Sequence, residues 1–176
     1  MAILSRIRTW FSKFDLRQFL PVLTSKDGID FEMAERSDIQ DLLAIERDVY
    51  AGTVPWTYTH FVREIENNPN AVFLVAKKSN HTVGFIGLRV MLYAKELHVT
   101  NLAVKTSMQQ QGIGDSLLQQ AVRVAANLNL GKITLETPRV TDGAQGFYRK
   151  EGFESTQILA SYYDDGRDAV TMEKKL

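Results

Sequence analysis

Residues Leu102-Ala103-Val104-Lys105-Thr106-Ser107-Met108-Gln109-Gln110-Gln111-Gly112-Ile113-Gly114 constrain the folding of this chain more than any other stretch. An apolar strand ends at Val104, a polar turn follows, and two glycines open a helix. Ile113, Leu117, Leu118, Ala121, Val122, Ala125 and Leu128 recur with a helical period, and Gly131 is expected to stop it. Gly112 and Gly114 carry no Cβ, so the backbone there can turn tightly and admit a ligand. The first amides of a helix have no internal acceptor and carry the positive end of its dipole. The unit is therefore either a cradle for phosphate oxygens or a plain helix start whose glycines serve packing. Dinucleotide and P-loop patterns do not fit, because there is no third spaced glycine and no Gly-Lys-Ser/Thr.

The remaining chain reads as alternating short elements. Strands are expected over 29–33, 71–76, 82–93, 96–104, 132–137, 154–159 and 169–173. Helices are expected from a Ser37/Gln40 capping box to Val49, over 57–66, after Gly112, and over 144–150. Turns fall at 77–81 and at Asp164-Asp165-Gly166. The order β-α-α-β-β-β-α-β-α-β-β describes an α/β (α+β) domain, with a mixed, mostly antiparallel sheet of six or seven strands and helices on both faces. The fourth strand contains a fault: Leu97 and Val99 share one parity, Leu102 and Val104 the other. Side chains alternate faces, so an extra residue near Thr100 or Asn101 would keep the apolar side inward. A strand buried on both faces would be indifferent to parity. The bulge is the reading adopted.

Composition excludes several functions. Lys plus Arg and Asp plus Glu are both 21, so no net field gathers nucleic acid. With no cysteine there is no disulfide, thiolate metal site or cysteine nucleophile. His60, His81 and His98 are scattered, and no metal site is expected. No apolar run spans a bilayer, and Arg6, Arg8, Lys13 and Arg17 break any signal-peptide pattern, so a cytoplasmic location is expected. Residues 1–28 are read as an amphipathic helical extension, with Ile3, Leu4, Ile7, Trp10, Phe11 and Phe14 on one face. That face packs on its own domain or a dimer mate, the favoured reading, or lies on a membrane surface or partner groove. Residues 29–176 form the domain proper, as a monomer or homodimer.

Gln109, two residues, Gly112, one residue and Gly114 resemble the pyrophosphate-binding signature of the GCN5-related N-acetyltransferases (GNAT). Ala144, Phe147-Tyr148, Lys150 and Gly152-Phe153 resemble the second signature of that family. Pro55-Trp56, Tyr162-Tyr163, Gly166, Asp168-Ala169 and Met172 resemble its branch of ribosomal-protein-alanine and related protein N-terminal acetyltransferases. The resemblance runs from Ile29 to the end. It implies a GNAT fold in which the bulge splays two parallel strands apart. It also implies acetyl-coenzyme A as cofactor, with its pyrophosphate on the amides of Gln109, Gln110, Gln111, Gly112, Ile113 and Gly114. Backbone amides near Leu102, Ala103 and Val104 would face the thioester, and Thr141 and Ala144 would border the pantetheine arm. Two positions depart from the branch. Leu135-Glu136-Thr137-Pro138 replaces Leu-Glu-Val-Arg, with Arg139 one step late, and Thr141 stands where an asparagine is usual.

Acetyl transfer to an amine needs a neutral amine, a polarised carbonyl and a proton for the departing thiolate. Without cysteine, direct attack in a ternary complex is the economical route. Ser107 and Ser116 lack a His–acid pair and are rejected as nucleophiles. Tyr148 is the candidate general acid, set against a half-buried helix aromatic. Glu136 is read either as the base, through water, or as a rim carboxylate that attracts a cationic substrate. Tyr162 and Tyr163 either line the acceptor slot or are ordinary strand aromatics, and Pro55-Trp56 would form the facing wall. The acceptor is expected to be a protein or peptide N-terminus. A small amine such as a polyamine or amino acid, and a catalytically inactive acyl-coenzyme A-binding module, are the alternatives.

Overall fold

The computed structural model describes residues 14–21, 23, 25–51, 55–140 and 143–176. Seven strands form one sheet in the order β1-β2-β3-β4-β5-β7-β6. They are β1 (Asp30–Met33), β2 (Ala71–Lys78), β3 (His81–Met91), β4 (Glu96–Val104), β5 (Lys132–Pro138), β6 (Glu154–Leu159) and β7 (Ala169–Lys175). Every neighbouring pair is antiparallel except β4 and β5. Among the described residues four α-helices cover the sheet: α1 (Ile39–Val49), α2 (Tyr58–Asn67), α3 (Ile113–Asn127) and α4 (Ala144–Lys150). The strand and helix order matches the sequence reading, with element ends shifted by a few residues.

Two buried clusters lie on opposite faces. Beneath α3, Leu97, Val99, Val104, Ile113, Leu117, Leu118, Ile133 and Leu135 belong to one. Beneath α1 and α2, Ile39, Leu42, Ile45, Phe61, Phe73, Phe85 and Ala103 belong to the other. Leu16 is fully buried in the first cluster, so the segment just after residue 13 packs on this domain. The rest of the amphipathic face expected from Ile3 lies outside the described residues. Among the described residues no helix is long and apolar enough to cross a membrane.

The parity fault in β4 is a bulge. Gly87 pairs with Asn101 and Leu88 with Val99, which leaves Thr100 as the extra residue. Leu97 and Val99 before it, and Val104 after it, consequently reach the same cluster. Gly87 makes room for the distortion: a Cβ there would sit 2.5 Å from the Thr100 hydroxyl and 2.6 Å from the Phe73 ring. Beyond the bulge the parallel pair comes apart. β4 pairs with β5 only at Glu96↔Lys132, Leu97↔Ile133 and His98↔Thr134.

Three local details differ from expectation or refine it. Ser37 does not cap α1, because it lies inside a 3-10 turn (Arg36–Asp38) rather than in the extended backbone a cap requires. The carboxylate that closes this turn is Asp38, which accepts from the Glu35 amide at 2.8 Å. Gly131 does not end α3. Asn129, at φ 51°, makes the left-handed turn, and the amides of Leu130 and Asn129 return to the Ala125 and Ala126 carbonyls at 2.9 and 3.0 Å. Ser79 and Asn80, at φ 48° and 66°, form the two-residue hairpin between β2 and β3.

Candidate active site

The parted strands and the start of α3 build one side of the site from backbone. The Lys105 amide donates to the Val83 carbonyl at 2.8 Å. In an antiparallel ladder, successive residues turn their polar groups alternately toward and away from the partner strand. Ala103 therefore faces β3, while the amides of Leu102 and Val104 face the gap that β5 has vacated. The Gln109 side-chain amide donates to the Val104 carbonyl at 3.0 Å and ties the following turn to this edge.

The turn itself is shaped for an anion. Gln110 and Gly112 adopt φ 60° and 77°, so the chain doubles back just before α3. The Ser116 amide donates to the Gly112 carbonyl at 3.0 Å, which leaves the earlier amides of the helix without an internal acceptor. A Cβ on Gly112 would meet nothing nearer than the Asp115 carboxylate at 3.9 Å, so the space beside it is open. A Cβ on Gly114 would touch the Phe147 ring at 3.5 Å, and that glycine serves close approach of α4 to α3. Gln109, Gln110, Gln111, Gly112, Ile113 and Gly114 thus form one continuous turn. Ala144 opens α4 nearby, and Thr141 lies outside the described residues.

The other side is built from side chains. Glu136 projects from the same face of β5 as Thr134, opposite Leu135. Its carboxylate lies 3.2 Å from His98 Nε2 on β4. His98 Nδ1 lies 2.9 Å from the Thr134 hydroxyl, which donates in turn to Glu96. Lys132 closes the chain, 3.4 Å from Glu96 and 2.8 Å from Glu173.

Tyr162 and Tyr163 lie near the Glu136 end of this row, and Tyr148 lies near Tyr163. Tyr148 stands on α4, its ring edge-on to Phe147 and Phe153 at 5.1 and 5.7 Å between centroids. Burial foremost, and then the phenols of Tyr50 and Tyr163, push its pKa well above the ordinary range of tyrosine. Tyr163 is pushed up to about 12, chiefly by burial and then by Tyr162 and Tyr50. Burial and the neighbouring Glu136 raise Tyr162 as well. These phenols therefore stay protonated, and can act as donors, at neutral pH. Tyr162 and Tyr163 sit in the β6–β7 loop rather than on a strand, with their rings 5.1 Å apart. The Trp56 ring is half-buried, packed on Phe61 and Phe73 at 5.3 and 5.6 Å against the edge of the cluster under α2.

Sequence reasoning missed Glu46, Tyr50 and His98. Glu46 is wholly buried on α1, accepting from the Trp56 amide at 3.2 Å and the Asn101 side chain at 3.3 Å. Burial pushes its carboxyl up to about 7. A carboxylate on the apolar face of α1, one turn before Tyr50, was a readable signal. His98 gave none until β4 and β5 were known to be neighbours.

The sequence profile of the acetyltransferase (GNAT) family matches residues 38–153. An N-alpha-acetyltransferase of Saccharolobus solfataricus is 31% identical over 168 residues, covering 88% of this chain and 99% of that one. The solved ribosomal-protein-S18-alanine N-acetyltransferase of Escherichia coli shares the fold, with a TM-score of 0.73 at 23% identity, covering 84% of this chain and 93% of that one. So does Arabidopsis thaliana Naa50, solved with the bisubstrate analogue CoA-Ac-MVNAL, with a TM-score of 0.71 at 20% identity and coverage of 85% and 99%.

Proposed function

The chain belongs to the acetyltransferase (GNAT) family, and on that premise we propose that it acetylates the α-amine of a protein N-terminus. Acetyl-coenzyme A, when bound, supplies the acetyl group on a thioester and a thiolate as leaving group. The open, positive-φ turn at Gln110 and Gly112 suits its pyrophosphate, held by the amides from Gln109 to Gly114. The unpaired Leu102 and Val104 amides donate to the carbonyl oxygen, where negative charge develops. Glu136 takes a proton from the incoming ammonium, directly or through water. Tyr148 gives its phenolic proton to the leaving sulfur, because burial has kept that proton in place.

The observation that carries the reading is the split of β4 from β5 beside Glu136, with Tyr162 and Tyr163 close enough to feel its charge. The choice of acceptor follows from proton affinity and from the relatives. An α-amine titrates near 7.7–8.0 and a lysine near 10.4, so at neutral pH roughly a tenth of the former is already neutral against well under a hundredth of the latter. A site with one modestly placed carboxylate suits the easier proton. The Saccharolobus relative is named an N-alpha-acetyltransferase, and Naa50 was solved with a peptide-bearing analogue.

The test is one peptide with a free N-terminus and an internal lysine, compared with its N-terminally blocked form. The free peptide should react at least ten times faster, as the neutral-amine fractions require. Equal rates would transfer the assignment to a lysine or small-amine acceptor.

A further inference from the structure

We propose that His98 is the positioning residue for Glu136, sharing a single proton with it and leaving the second carboxylate oxygen free to receive the substrate's proton. The inference rests on the reading of Glu136 as base. It begins from hydrogen-bond accounting rather than from resemblance. Glu96, engaged by the Lys132 ammonium, can only accept, so the Thr134 hydroxyl must donate to it. That hydroxyl has one hydrogen, and it is spent. At its 2.9 Å contact with His98 Nδ1 it is therefore the acceptor, and Nδ1 carries a hydrogen.

The tautomer being fixed, only one arrangement satisfies the other ring nitrogen. His98 Nε2 lies 3.2 Å from Glu136 Oε2. With no hydrogen between them, a lone pair would face a carboxylate oxygen. One shared proton removes that conflict, either on Nε2 or on Oε2. The pair also locks Glu136: a carboxylate held at Oε2 presents Oε1 in one direction. When Oε1 takes a proton from the acceptor ammonium, the shared proton settles on Nε2. The pair then holds two protons and carries one positive charge, and it returns one proton to solvent before the next cycle. Nothing is oxidised or reduced.

Among the described residues, five charged or titratable groups border the pair. Glu96 on β4, Lys132 on β5 and Glu173 on β7 extend the row away from the gap, and Tyr162 and Tyr163 approach Glu136 from the β6–β7 loop. His98 and Glu136 side chains are each 18% exposed, so the pair is sheltered yet reachable by a substrate.

The experiment is a double-mutant cycle with His98→Gln and Glu136→Gln, read as kcat, KM and the pH profile of kcat. A glutamine amide can still donate to Glu136 but does not titrate. His98→Gln should lower kcat roughly 10–30-fold with both KM values within about two-fold, and the kcat profile should lose one ionisation. Glu136→Gln should lower kcat roughly 10²-fold or more, and adding His98→Gln should cost nothing further. A costly Glu136→Gln combined with a multiplicative double variant overturns the pairing and leaves the base intact. A silent Glu136→Gln removes the base reading, and the proposal with it. Independently, ¹⁵N spectra of the unmodified protein should show His98 Nδ1 protonated across the neutral range. A neutral ring protonated only at Nε2 would overturn the proposal without any mutation.

Discussion

The two halves of the site are made of different material. The half assigned by proposal to the cofactor is backbone: strand amides at Leu102 and Val104 beyond the β4–β5 pairing, a turn at positive φ, and the first amides of α3. The half proposed to face the acceptor is side chains drawn from α1, β4, β5, α4 and the β6–β7 loop. Backbone offers the same donors whatever the sequence, so recognition there depends on where the chain is allowed to bend. Side chains offer distinct chemistry, so recognition depends on which residues the sheet brings together. One half should break on a change of conformation or charge at a single glycine. The other should break residue by residue, with losses in rate rather than in cofactor affinity.

Tyr148→Phe is the sharpest way to separate them. The ring packing against Phe147 and Phe153 survives, and only the proton is lost. The turnover number should fall by roughly 10²–10⁴ while cofactor affinity stays within a few-fold. A loss of less than a few-fold, measured by steady-state kinetics, would return Tyr148 to a packing role. Gly112→Asp should do the reverse, weakening acetyl-coenzyme A binding by roughly 10² through a negative charge set against phosphate. Gly112→Ala isolates the conformational part, since the space is open but the φ of 77° is strained for a side chain. That strain is about 1–2 kcal/mol, or roughly a ten-fold loss. Titration calorimetry on the two folded variants should rank them in that order, and equal losses would mean that charge plays no part.

The same contrast explains what could be read from the chain. The cofactor half occupies thirteen consecutive residues, and its logic is local: a strand end, a polar turn, two glycines, a helical period. Even the bulge was legible, because Leu97 and Val99 cannot share a face with Leu102 and Val104 unless a residue is inserted. For the acceptor half the chain offered scattered single residues, Glu136, Tyr148, Tyr162 and Tyr163, each pointed to by the family resemblance. His98 and Glu136 are far apart in sequence and meet because β4 and β5 lie side by side for three residues. Trp56 shows the opposite error of a contiguous reading. Its place beside Pro55 suggested a wall of the slot, while the neighbouring phenylalanines of the α2 core take its ring. Ser37 and Gly131 were the right residue types near the right ends, but Asp38 closes the turn before α1 without a side-chain bond into that helix, and Asn129 makes the left-handed turn after α3.

The bulge is where the halves join, and Gly87 is its support. A methyl group at Gly87 would overlap both the Thr100 hydroxyl and the Phe73 ring, the latter being buried. Gly87→Ala should therefore destabilise the fold by about 3 kcal/mol, the upper end for overpacking a core. It should also damage both halves together, because an altered bulge changes the parting of β4 from β5. Denaturant melts and cofactor titration on one preparation check this. Lost stability with undisturbed binding would show that the split does not depend on the bulge.

Glu46 gives the smaller of the two effects on stability and the most direct statement about the side-chain half. It is a carboxyl with no exposure, held by the Trp56 amide and the Asn101 side chain, and burial moves its titration from 4.5 up to about 7. Between those two values the folded protein keeps a proton that the unfolded chain has already lost. Raising the pH through that window therefore lowers stability, and the stabilising contribution is complete only below the unfolded value. The full linkage corresponds to about 3 kcal/mol at most, and relaxation around an ionised group brings the expectation nearer 2 kcal/mol. Glu46→Gln removes the ionisation and keeps the shape. Once the Asn101 amide turns over, the glutamine NH2 can donate to its oxygen, which is buried without a partner, while the glutamine oxygen accepts from the Trp56 N–H. The variant should match the parent near pH 5 and exceed it at pH 8, with a melting temperature higher by about 2–4 °C per kcal/mol gained. If the two proteins lose stability in parallel from pH 5 to pH 8, Glu46 is solvated, and the acceptor half holds no buried carboxylate at its base.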